Sequence, residues 1–179
     1  MKTALNTLLA LSLISTPVLA SSLEGHRIGL GFNKTNVEEV DLRGNEYSSN
    51  GLKLEYGYDF NNIVGMNVSY SKGSGDYFIS DFDARTFKLD ADIGYAFDLN
   101  EFMIKPYGVI GYASHKEDFS FLGQNAGEWK DSNVFLGMGA RLYVGNHFYS
   151  DLRFDFINLD DAGDDNFVDQ ISLTVGYKF

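Results

Sequence analysis

The sequence predicts an all-β chain that closes into an eight-stranded antiparallel up-and-down transmembrane β-barrel with a polar interior. Eight segments alternate apolar and polar residues with a period of two, which is typical of strands with one apolar face. Short turns alternate with longer polar connections, as short periplasmic turns alternate with longer extracellular loops in membrane barrels. Charged residues recur on one face of these segments, so only the opposite face suits lipid.

The first residues have the features of an export signal. Lys2 precedes a short apolar run over residues 4–13, and small residues for cleavage lie within residues 18–20. The run is too short to cross a bilayer as a helix. We therefore expect residues 1–20 to be a signal peptide and residues 21–179 to form an exported barrel domain.

The amino-acid composition disfavours several classes of function. A formal net charge of −11 disfavours a nucleic-acid partner. Because cysteine is absent, the chain has no disulfide scaffold, thiol nucleophile or thiolate metal site. Two prolines and 15% aromatic residues suit long strands with aromatic girdles. We expect no cofactor.

The first four strands are predicted from clear alternation. Ile28, Leu30 and Phe32 share the apolar face of the first strand. The predicted strands cover residues 25–33, 51–59, 64–71 and 85–97. Residues 33–50 and 72–84 are expected to form long loops, and residues 59–62 a tight turn.

The last four strands are predicted over residues 102–114, 133–144, 147–157 and 167–179. In the fifth, Lys105 indicates that Phe102, Ile104, Ile110 and Tyr112 face outward, although Tyr107 and Val109 lie on the other parity. The predicted connections are turns at 98–101 and 145–146 and longer loops at 115–132 and 158–166.

The charged faces are assigned to the interior. If the seventh strand were reversed, Asp151, Arg153 and Asp155 would lie in lipid, where a midplane Arg costs about 2–4 kcal/mol. Since an eight-stranded barrel is just wide enough for side chains to fill, we expect a closed, salt-bridged lumen. The predicted interior charges are Arg27, Lys53, Glu55, Lys88, Asp90, Asp92, Arg141, Asp151, Arg153 and Asp155.

The last strand resembles the C-terminal assembly signal of bacterial outer-membrane barrels, which the barrel-assembly machinery reads. Its matching residues are Ile171, Leu173, Val175, Tyr177 and Phe179. The mature chain as a whole resembles the small eight-stranded barrels of the OmpX/Ail/Lom and OmpA-transmembrane type. Short sequence motifs in the fifth, sixth and seventh strands of that group resemble residues 105–112, 137–141 and 149–153, respectively.

This resemblance implies a monomeric, non-enzymatic surface barrel in the outer membrane of a Gram-negative bacterium, with a structural or adhesive role. The expected partners are outer-membrane lipid and lipopolysaccharide, the assembly machinery, and a host or envelope partner at the extracellular loops. The candidate loop contacts are Tyr47, Phe119, Phe121 and Trp129. The alternatives are a narrow pore for small solutes and, less favoured, a lipid A-modifying enzyme.

The histidines and an acidic segment are two further candidate functional sites in the sequence. The three histidines, His26, His115 and His147, do not reproduce the deacylase motif of enzymes on this fold, so we assign no catalytic residue. The acidic residues 160–165 resemble a site for Ca²⁺ or Mg²⁺ in their carboxylate content, but lack EF-hand spacing. A solvated loop is the favoured interpretation, and no metal ligand is assigned.

Overall fold

The protein is described by a computed structural model for residues 23–39, 46–77, 80–121, 124–161 and 164–179, so the expected signal peptide lies outside the described residues. The strands are β1 (Gly25–Glu39), β2 (Glu46–Asp59), β3 (Val64–Tyr77), β4 (Ser80–Gly94), β5 (Phe102–Phe121), β6 (Gln124–Val144), β7 (Phe148–Asp161) and β8 (Asp164–Lys178). Residues Phe97–Asp98 add a two-residue ladder to the edge of β5. In the described part of the chain, no helix is long and apolar enough to cross a membrane.

The strands form one antiparallel meander that closes on itself. Each strand pairs with the next one along the chain, and β1 pairs with β8 from Arg27↔Lys178 to Glu39↔Asn166. At the chain end, the Phe179 amide donates to the His26 carbonyl over 2.8 Å. Closure leaves the long strands without an open edge, which lipid could not satisfy. The predicted eight-stranded barrel is confirmed.

The apolar face of the sheet points outward and the polar face points inward, which is the reverse of a soluble barrel. Large apolar side chains lie outside, as with Leu30 at 66% exposure and Leu136 at 59%. Charged side chains lie inside, where Arg27 and Asp92 are 0% exposed. In β5, Tyr107 and Val109 are buried while Phe102, Ile110 and Tyr112 are exposed, so the parity assigned from Lys105 is confirmed.

The strands are longer than the apolar pattern predicts. β5 has 20 residues and β6 has 21, whereas about 9–11 residues cross the hydrocarbon. Most of the polar residues predicted as loops at 33–50, 72–84, 115–132 and 158–166 instead continue the strands outward. Beyond the membrane the outward face meets water instead of lipid, so apolar residues no longer alternate there although the hydrogen-bonded ladder continues. The inward face remains buried, as His115 and Glu117 show.

The predicted periplasmic turns are short. Gly145 has a φ of 60°, a left-handed conformation that suits glycine in the turn between β6 and β7. The turn covers residues 145–147, one residue more than predicted, and β7 begins at Phe148. Such tight connections hold neighbouring strands in register and therefore align the side chains that point into the lumen.

Candidate functional site

Among the described residues, the lumen holds twelve Asp, Glu, Lys and Arg side chains at 0–3% exposure, besides the buried His115 and Glu117 nearer the extracellular end. All ten residues predicted to line the interior are among the twelve, together with Lys105 and Asp59. The six bases are Arg27, Lys53, Lys88, Lys105, Arg141 and Arg153. The six acids are Glu55, Asp59, Asp90, Asp92, Asp151 and Asp155. Six bases face six carboxylates, so this layer is formally neutral.

One half of the network is centred on Arg141. Its Nε donates to Asp151 Oδ2 over 2.6 Å, and its Nη1 lies 3.3 Å from Asp92 Oδ2. Lys105 Nζ donates to Asp92 Oδ1 over 2.6 Å. Asp59, predicted to end the second strand and begin a turn but not to join the interior charges, accepts from Arg27 Nε over 2.7 Å. Each of these carboxylates is therefore paired with a cation at a site that is shielded from solvent, as buried charges require.

The other half is centred on Arg153. Its Nη1 and Nη2 donate to the two oxygens of Asp90 over 3.1 and 2.9 Å, a bidentate pair. Its Nε donates to Asp155 over 2.7 Å. Lys88 Nζ donates to the second Asp155 oxygen over 2.5 Å and also to Gln170. This half ties β4, β7 and β8 together across the lumen.

Neutral polar groups join the two halves. The Asn67 side-chain nitrogen donates to Asp90 over 2.8 Å and to Asp92 over 3.1 Å. Tyr107 donates its hydroxyl to Asp151 over 2.6 Å, and Tyr143 donates to Asp59 over 2.8 Å. The sequence analysis did not predict these links, although Asn67 lies on the same predicted face as Ser69.

Apolar layers cover the charges at both ends. On the extracellular side, Tyr107, Val109, Ala113, Phe135, Ile157 and Val168 form one buried cluster. On the periplasmic side, Leu23, Ala96, Tyr143 and Tyr149 form another, against which Met103 packs. Excluding water lowers the local dielectric and strengthens the ion pairs between the layers. The arrangement is suited to closing the lumen and bracing the barrel.

A buried hydroxyl, imidazole and carboxylate lie in line near the extracellular end. Thr86 Oγ1 is 2.8 Å from His115 Nδ1, and His115 Nε2 is 2.9 Å from Glu117 Oε1. All three side chains are buried in the lumen, away from the lipid on which a lipid-modifying enzyme acts. Ser114 points outward and bonds Ser132 over 2.9 Å. The three groups brace β4 against β5.

The remaining candidate residues are the other two histidines, the aromatic loop residues, the acidic residues 160–165 and the residues of the predicted assembly signal. His26 and His147 lie at the periplasmic end, against Tyr56 and Tyr177 respectively. The side chains of Tyr47, Phe119, Phe121 and Trp129 lie outside the described residues, as do those of the acidic residues 160–165. Where side chains are described, no group of three or more His, Asp or Glu is arranged to hold a metal ion. The residues of the predicted assembly signal, Ile171, Leu173, Val175, Tyr177 and Phe179, all lie on the outer face.

A closed barrel with an apolar exterior and a filled, charged interior defines a small outer-membrane barrel. The family model described as "outer membrane protein beta-barrel domain" matches residues 7–179, so the chain belongs to this family. None of the curated protein sequences is significantly similar to the chain.

Solved structures include similar barrels. Ail, the attachment invasion locus protein of Yersinia pestis, is 26% identical, with 87% of this chain and 99% of Ail covered and a TM-score of 0.61. Ail in complex with the heparin analogue sucrose octasulfate matches at the same identity and coverage, with a TM-score of 0.63. Neisserial surface protein A shares the fold at 15% identity, with 89% and 100% coverage and a TM-score of 0.71.

Proposed function

We propose that this protein is a closed, non-enzymatic barrel that presents its extracellular hairpins to a partner outside the cell. The neutral, covered charge layer carries the proposal, because it braces the barrel and fills the space that a solute would need. The similarity to Ail, whose name records attachment and invasion, supports an adhesive role. We also infer that residues 1–20 are the export signal.

The charge of the hairpins constrains the partner. Since the lumen layer is neutral, the net charge of −11 lies elsewhere in the chain. Residues 36–48, 73–84, 118–129 and 157–170 contain fourteen Asp and Glu and only one base, Arg43. Hairpin ends with this charge fit a basic protein surface. They differ from a site for a polyanion such as the heparin analogue found with Ail.

Surface display tests the proposal. Non-adherent bacteria that express the full chain should bind host cells or matrix, and polylysine should compete better than heparin. The matched variant has Asn in place of four acids within residues 157–170, namely Asp160, Asp161, Asp164 and Asp165. It should bind less than the wild type at an equal amount of protein on the cell surface. Equal binding by the variant, or stronger competition by heparin, would contradict the proposed partner chemistry. Binding no greater than that of the empty host would remove the adhesive role.

A further inference from the structure

Four buried polar atoms without a hydrogen-bond partner lie on the four neighbouring strands at which the ring closes. They are Arg27 Nη1 on β1, Glu55 Oε1 on β2, the Tyr149 hydroxyl on β7 and Thr174 Oγ1 on β8. All four residues are at most 3% exposed. In the part of the chain that the structure describes, the one other such atom is Asn33 Oδ1, farther toward the extracellular end. We define the four residues on β1, β2, β7 and β8 as the seam cluster.

The backbone of Gly29 brings the seam cluster together. Gly29 lies directly opposite Glu55 in the ladder between β1 and β2. A Cβ atom at Gly29 would overlap the Tyr149 hydroxyl and would lie 2.7 Å from Cγ2 of Thr174. The guanidinium carbon of Arg27 lies 5.5 Å from the centroid of the Tyr149 ring. The two hydroxyl-bearing side chains therefore reach the same space above Gly29, beside the carboxylate and the guanidinium.

The ion pair that borders this space is incompletely bonded. Lys53 Nζ lies 2.7 Å from Glu55 Oε2, whereas Glu55 Oε1 lies 3.5 Å from Arg27 Nη1 and forms no hydrogen bond. Arg27 donates its Nε to Asp59 over 2.7 Å and its Nη2 to Asn67 over 2.8 Å. These bonds hold the guanidinium in place and leave Nη1 directed at the seam cluster. A buried polar atom that stays unpaired costs its full desolvation, so a ligand at this position would be stabilising.

We propose that the seam cluster binds a single water molecule inside the closed lumen. A water molecule donates two hydrogen bonds and accepts two, which matches one N–H donor, one carboxylate acceptor and two hydroxyls that can act in either role. An anion would face Glu55 and a cation would face Arg27, so the ligand must be neutral. The apolar clusters at both ends of the lumen separate the site from bulk solvent and from larger solutes.

The bound water joins the two ends of the chain near the periplasmic side of the seam. Farther toward the extracellular side, direct side-chain hydrogen bonds already cross this seam, from Gln170 to Thr35 over 2.8 Å and from Lys53 to Ser172 over 3.3 Å. The water extends this bonding to the level of Gly29, where side chains from β1, β2, β7 and β8 meet. This inference does not depend on whether the hairpins bind a partner.

A crystal structure of the folded protein at a resolution that shows ordered water tests the site directly. We expect one density peak within about 2.6–3.2 Å of at least three of the four atoms. Tyr149→Phe with Thr174→Val removes both hydroxyls and should lose the peak. Tyr107→Phe is the matched control and should keep it, because the Tyr107 hydroxyl donates directly to Asp151. A wild-type site without density, or one in which the four atoms bond one another directly, would overturn the proposal.

Urea unfolding in lipid vesicles gives a second readout that does not require crystals. If water is bound, Tyr149→Phe removes a hydrogen bond and should raise the equilibrium constant for unfolding roughly fivefold. If the hydroxyl is unpaired, the same change removes only a desolvation cost and should lower that constant. Thr174→Val should also raise it, whereas Thr174→Ser keeps the hydroxyl and should stay closer to the wild type. Constants at or below the wild-type value for both Tyr149→Phe and Thr174→Val would contradict a bound water.

Discussion

Arg141 on β6 and Asp151 on β7 lie directly opposite each other, and the Nε of Arg141 donates to Asp151 Oδ2 over 2.6 Å. The guanidinium of Arg141 also lies over the ring of Tyr107, 4.8 Å from its centroid. The pair thus combines a cross-strand ion pair with a cation–π contact in a site that excludes water. Arg141 thereby contacts three carboxylates, because Asp59 and Asp92 also lie within 3.4 Å of its Nη1.

Removing Arg141 should destabilise the barrel strongly. Arg141→Ala leaves Asp151 facing Tyr107 without its cation, and loss of one partner from a buried pair costs about 3–5 kcal/mol. Urea unfolding in lipid vesicles, followed by tryptophan fluorescence, gives the free energy of unfolding. Lys178→Ala, which removes one cation at the periplasmic end, is the control and should change it by about 0.5 kcal/mol or less. Similar values for both variants would show that the network contributes little.

The outer face should reject charge. Leu89→Arg and Leu136→Arg should each destabilise the barrel in a bilayer by about 2–4 kcal/mol, because both side chains face lipid. Leu89→Met and Leu136→Met control for altered packing and should be nearly neutral. Ser69→Arg is a poor control, since Ser69 is buried directly opposite Lys88 and would add a second cation there. Tolerance of Arg at both leucines would contradict the outward parity.

The wild-type barrel should conduct negligibly in a planar bilayer. The charge layer and its two apolar covers fill the lumen, so ions meet no continuous water path. Arg141→Ala with Arg153→Ala should produce unstable openings or an unstable barrel, as it removes the centre of each half of the network. Lys34→Ala with Lys178→Ala removes two cations outside the lumen and should stay silent. A large, steady conductance from wild-type protein would favour the narrow-pore alternative.

Deleting Phe179 should slow assembly into the outer membrane. The residue supplies the last outward aromatic side chain of the predicted assembly signal, and its amide closes onto His26. We expect periplasmic aggregate or degraded protein, measured by membrane fractionation and by the heat-dependent gel shift of folded barrels. Phe179→Tyr keeps the ring and the amide, so it should assemble normally. Accumulation of soluble, folded deletion protein would contradict membrane assembly.

Much of the barrel follows from period-two alternation, because lipid outside and charge inside separate the faces sharply. The ends of the strands do not follow from it, since the outward face of β5 and β6 meets water there and no longer carries apolar residues. Asp59 shares the parity of Lys53 and Glu55 at the end of the predicted second strand, so alternation indicates the lumen for it, although it was not predicted among the interior charges. Which carboxylate meets which cation depends on strand tilt and stagger, as with Arg153 and Asp90, which are 63 residues apart. The hairpin partner leaves no such periodic pattern.

The pairing of β1 with β8 also governs the order in which the molecule can fold. Gln170 donates to Thr35 across 135 residues, and Lys53 donates to Ser172 across 119. Contacts at such separation form late, because the chain must first lose the entropy of a long intervening loop. Until the ring closes, the amphipathic strands β1 and β8 expose unpaired backbone groups and apolar side chains. We therefore expect the risk of aggregation to be highest between synthesis and ring closure, so the chain needs protection from association until β1 and β8 pair.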